Sequence, residues 1–101
     1  MKKITIQLKH DMVEAFIQLF SQYIELNYVD ADDKLVMAVL AEFKITLMRR
    51  IIQPKHKYAI TLTPATAIAL QIFYDDFIDD FSTQPGNKLH QISNQVKQQY
   101  Q

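Results

Sequence analysis

The sequence predicts an α+β domain of order β-α-α-β-α-α, in which a two-stranded antiparallel ribbon packs on helices. Three observations lead there. Ile4-Thr5-Ile6-Gln7-Leu8 and Tyr58-Ala59-Ile60-Thr61-Leu62 alternate along the chain with the period of a half-buried strand. Each is followed by two segments whose apolar residues recur at helical spacing. The chain also matches itself at a shift of 54 positions, which lays Ile4 on Tyr58, Ala15-Phe16 on Ala69-Leu70, Leu19-Phe20 on Phe73-Tyr74 and Tyr23-Ile24 on Phe77-Ile78. Agreement through two different periods makes this a tandem repeat, with pseudo-repeat halves 1–54 and 55–101 of a single domain.

In the first strand Ile4, Ile6 and Leu8 share the buried face, and in the second Tyr58, Ile60 and Leu62 do. The first helix is expected over His10 to Leu26, with Asp11 and Glu14 placing negative charge near its positive end. The next helix starts around Asp32-Asp33 and ends near Ile52, before Pro54, with Arg49 and Arg50 in its last turn, where cations are favoured. On it Glu42, Thr46, Arg49, Arg50 and Gln53 form a narrow polar stripe. The rest is apolar, so this helix is expected to be central, covered by its own domain or by a partner. The third helix, Pro64 to Phe81, has Thr63 as cap and Pro64 at the first helical position, where a missing N–H costs nothing. The fourth, Lys88 to Tyr100, keeps Leu89, Ile92, Val96 and Tyr100 on an apolar stripe in a Gln-rich, surface-like segment.

Short connections make each element reverse the last, so two helices return the second strand antiparallel to the first. A two-stranded ribbon persists when helices cover one face, and its two edges call for management, which pairing across a homodimer would supply. The apolar second helix offers another dimer surface, with Leu35, Val39, Phe43 and Leu47 as candidate contact residues.

Composition narrows the function classes. In 101 residues, 49% are hydrophobic and 22% charged, with one Gly and three Pro, the profile of a packed globule. No Cys is present, which removes disulfides, thiolate metal sites and thiol catalysis. Net charge is zero, so the chain as a whole is not a polyanion binder. The alternating N-terminus lacks the unbroken apolar run of a signal peptide, and Leu35 to Ala41 is far short of a membrane span. The expectation is a cytoplasmic protein that needs no membrane.

Two charge clusters are candidate sites. Asp75-Asp76-Phe77-Ile78-Asp79-Asp80 contains the spelling DDxxD, which in isoprenoid synthases holds magnesium, and Asp75, Asp76, Asp79 and Asp80 are a weak metal candidate. Ordinary amphipathicity explains the same pattern, since Phe73, Tyr74, Phe77, Ile78 and Phe81 occupy the opposite arc. Hard cations also want more oxygen ligands than one helix presents. Four carboxylates at a helix C-terminus nonetheless oppose the macrodipole and one another. The second cluster, residues 49–57, holds Arg49, Arg50, Lys55 and Lys57 with His56, a candidate anion or nucleic-acid contact. Read structurally, it is a charge complement at a helix end followed by a Lys-blunted edge strand. The two clusters could also meet between subunits.

No Gly-rich phosphate loop, nucleophile elbow or paired His at ligand spacing occurs, and His10, His56 and His90 are isolated in sequence. The strand ending Leu62-Thr63-Pro64-Ala65, followed by an Ala-rich helix, resembles small uncharacterised bacterial proteins with a duplicated strand-helix unit. That likeness runs over most of the chain and implies no activity. The expectation is a non-enzymatic protein–protein interaction or regulatory module, homodimeric and without cofactor. Nucleic-acid or phosphate binding through residues 49–57 is the alternative.

Overall fold

The computed structural model describes residues 3–78 and 84–100. The chain runs β1 (Ile4–Lys9), α1 (His10–Ile24), α2 (Ala31–Ile51), β2 (Lys57–Leu62), α3 (Pro64–Phe77) and α4 (Gln84–Tyr100). The class is α+β, with four helices and one antiparallel pair of strands among the described residues. In the pair Ile6 faces Ile60, Ile4 faces Leu62 and Leu8 faces Tyr58. Those six residues are the buried ones, so the alternation sorts the ribbon into a dry face and a wet face. On the wet face the hydroxyls of Thr5 and Thr61 meet across the strands at 3.1 Å.

All four helices lie against the dry face or one another. α1 packs on α2, α3 on α4, and α2 on α3. The centre of the core is aromatic. Phe20 on α1 is fully buried, with ring centroids 5.4 Å from Phe16, 6.0 Å from Phe43 on α2 and 5.6 Å from Phe73 on α3. One side chain thus ties three helices together, and its contact with Phe73 is edge-to-face.

Local chemistry sets the element ends. Thr63 Oγ1 accepts from the Thr66 N–H at 3.2 Å, the expected cap ahead of Pro64. For α2 the cap is Asp30, whose carboxylate accepts from the Asp32 N–H at 2.9 Å, while Asp32 and Asp33 occupy the first turn. α1 stops at Ile24, two residues short of the predicted Leu26, where the Tyr28 hydroxyl donates to the Tyr23 carbonyl at 2.6 Å. That bond satisfies an end carbonyl from outside the helix and turns the chain toward α2. α3 stops at Phe77 rather than Phe81, because Ile78 takes an extended conformation (φ −104°, ψ 114°). The carboxylates that oppose the dipole at this end favour an early stop. Residues 79–81 lie outside the described residues. α4 begins at Gln84, a turn before the predicted Lys88; Pro85 in its first turn needs no donor partner there.

Among the described residues no helix is long and apolar enough to cross a membrane.

Candidate interaction surface

The second helix departs most from expectation. Its inward stripe, Val36, Met37, Leu40, Phe43 and Leu47, is buried in the chain's own core. Of the four candidate contact residues, Phe43 and Leu47 are therefore core residues, closed to any partner by their packing under α1 and α3. Leu35 is exposed and Val39 half-buried. Outward, the helix carries a second apolar stripe. Ile45 (49% exposed), Met48 (46%) and Ile52 (76%) continue the line of Ala38 and Ala41. At 3.6 residues per turn this stripe lies roughly 140° around the helix from the core-facing one. The helix is thus apolar on two faces, covered by its own domain on one of them.

The outward stripe has relief. Its N-terminal half is concave: Lys34, Met37, Ala38 and Ala41 form the floor of a groove of about 470 Å³ walled by Ile24, Leu26, Asn27 and Tyr28 from the α1–α2 connection. The groove exists because α1 ends early and because the helix here presents Ala. Beyond the groove the stripe continues through the larger, exposed side chains of Ile45, Met48 and Ile52. Sequence reasoning missed Ala38, Ala41, Ile45, Met48 and Ile52, although their 3-4-3-4 spacing is visible in the chain.

The basic cluster sits where this helix ends. Arg49, Arg50, Lys55, His56 and Lys57 are all exposed. They do not act alike. Arg50 is turned onto the ribbon, its guanidinium donating to the Ala59 carbonyl at 2.9 Å, which covers part of the outer edge of β2. The loop carrying Lys55 is pinned by Tyr58, whose buried ring carries a hydroxyl that donates to the Gln53 carbonyl at 2.8 Å and accepts from the Lys55 N–H at 3.2 Å. His10 Nδ1 lies 3.3 Å from the same hydroxyl. His10 in turn meets Glu14 through Nε2 at 3.0 Å.

The acidic candidates are divided. Asp75 is paired with Lys97 on α4, Nζ to Oδ2 at 3.3 Å, and both side chains are more than a third exposed. Asp76 stands near the start of α2, and Asp79 and Asp80 lie outside the described residues. Asp33 gathers the local negative charge: slight desolvation first, then the carboxylates of Asp30, Asp76 and Asp32, hold its carboxyl above the usual carboxylate value. Tyr28 beside it is raised above the ordinary phenol value by burial, then by Asp33 and Tyr23. Among the described residues no three His, Asp or Glu side chains stand together as a metal-holding group.

A second cleft, about 450 Å³, lies beside the β1 edge between Gln7, Lys9, Asp11 and the α4 residues Asn87, Lys88 and Gln91. Its lining mixes Lys, Asp and amides, with no convergent set of charges. The chain was compared with protein-family models, curated proteins and solved structures, and no match was found in any of the three.

Proposed function

We propose that the protein is a non-enzymatic protein–protein interaction or regulatory module, working as a cytoplasmic homodimer through the outward face of α2. The observation that carries this is the run of Ile45, Met48 and Ile52, exposed in line on a helix whose opposite face is already buried. Apolar side chains scattered singly need no explanation, but a continuous exposed stripe marks a contact surface. Ile45→Glu and Met48→Glu test it. Each is expected to abolish self-association in sedimentation velocity while leaving far-UV circular dichroism intact. Self-association unchanged in both variants would place the contact elsewhere.

The tandem repeat belongs to the same reading. It is supported by the ribbon's register, in which Ile6 pairs with Ile60, the residue 54 positions on. On this reading a pseudo-two-fold axis through that pair would exchange β1 with β2, α1 with α3 and α2 with α4. Within such a pair α2 has acquired an outward apolar stripe that Gln-rich α4 lacks.

A phosphate or nucleic-acid contact is the second reading, favoured by the exposure of Arg49, Lys55 and Lys57 together at one end of α2. Binding to heparin and to mixed oligonucleotides at low salt, where the electrostatic contribution is strongest, tests it. An undetectable interaction there removes it.

A further inference from the structure

We infer that two copies of this chain form an isologous dimer in which α2 pairs antiparallel with the partner's α2 along Ala38, Ala41, Ile45, Met48 and Ile52. This rests on the reading of α2 as the contact surface and adds its partner and direction. The five residues alternate spacings of three and four, the seam along which two helices supercoil. The seam is uneven: the small side chains of Ala38 and Ala41 line the groove, and the larger Ile45, Met48 and Ile52 are exposed beyond it. A two-fold axis crossing α2 between Ile45 and Met48 sets Ile45 against the partner's Met48 and Ile52 against the partner's Ala41, a large side chain over a small one. Parallel pairing would instead set groove on groove and leave a void, which packed interfaces avoid.

Charge selects the same direction. Glu42 and Arg49 flank the seam on one side, seven residues apart, and neither is in an ion pair among the described residues. Antiparallel pairing sets Glu42 against the partner's Arg49 and Arg49 against the partner's Glu42. A parallel pair would bring Lys44 beside the partner's Arg49. From Ala38 to Ile52 the seam is roughly 21 Å long at 1.5 Å per residue, a short contact, so self-association is sought up to high micromolar concentration.

The absence of native Cys makes introduced thiols clean reporters. Ala41→Cys and Ile52→Cys are each mixed alone and with the other under mild oxidation. In the antiparallel dimer residue 41 lies across from residue 52, while like positions are roughly 16 Å apart, beyond disulfide reach. The mixture is therefore expected to cross-link and each variant alone is not. In sedimentation equilibrium Glu42→Arg is expected to weaken the dimer about tenfold, and Glu42→Arg with Arg49→Glu to restore it. A dimer that cross-links in the single variants, or that ignores the charge reversal, overturns the antiparallel pairing and leaves the contact surface standing. A wild-type chain that stays monomeric to about 500 μM overturns both.

Discussion

Removing one oxygen at Tyr58 is expected to loosen the corner where α2 hands over to β2. The ring of Tyr58 is 1% exposed and remains so as Phe, so Tyr58→Phe leaves the apolar packing intact. What disappears is the donation to the Gln53 carbonyl at 2.8 Å, the acceptance from the Lys55 N–H at 3.2 Å and the contact with His10 at 3.3 Å. A hydrogen bond is worth about 0.5–1.5 kcal/mol net, and water can reach the Gln53 and Lys55 main chain once the hydroxyl is gone, so the loss is about 1–2 kcal/mol. For a domain of this size each kcal/mol moves the midpoint by about 4–8 °C, so Tm should fall by about 5–15 °C. Thermal unfolding followed by far-UV circular dichroism reads that shift, and hydrogen exchange at the Lys55 amide should accelerate with it. A fall smaller than about 2 °C with unchanged Lys55 exchange would show that the hydroxyl does not pin the loop.

Other expectations follow from the same structure. Phe20→Ala, at the meeting of three helices, should cost about 3–5 kcal/mol, read as a fall in the urea midpoint; a loss below about 1.5 kcal/mol would contradict the aromatic centre. Asp33 should titrate above the ordinary carboxylate range by carboxyl NMR, and Asp76→Asn should bring it down. Because its folded pKa is raised, the stability linked to this group is present at acid pH and lost as pH rises through that pKa. A Asp33 titration unaffected by Asp76→Asn would remove Asp76 as a cause. Lys97→Gln, breaking the exposed pair with Asp75, should change stability by less than about 1 kcal/mol; a larger loss would mean the pair is not solvent-screened.

The period-2 pattern placed both strands and chose their buried faces, because a strand's side chains alternate whatever surrounds it. Thr63-Pro64 marked the start of α3 because cap and proline act within one turn. Helix ends were less legible. The stop after Ile24 depends on Tyr28 folding back to Tyr23, and the stop at Phe77 pits helix propensity against the dipole. The predicted charge complement at Arg50 became a bond to the Ala59 carbonyl on β2, a partner nine residues away that no local rule names.

By itself the sequence determined the class, the order of elements and which faces of the ribbon and of α1 go inward, since each follows from the spacing of apolar residues along one element. The tertiary structure alone decided the surface of α2. Phe43, Leu47, Ile45 and Met48 are similarly apolar in the chain, and hydropathy does not say which pair the core will take. Packing of α1 and α3 against one side of the helix covers Phe43 and Leu47 and leaves Ile45 and Met48 in water. A helix apolar on two faces can turn only one of them toward a core that lies on one side of it.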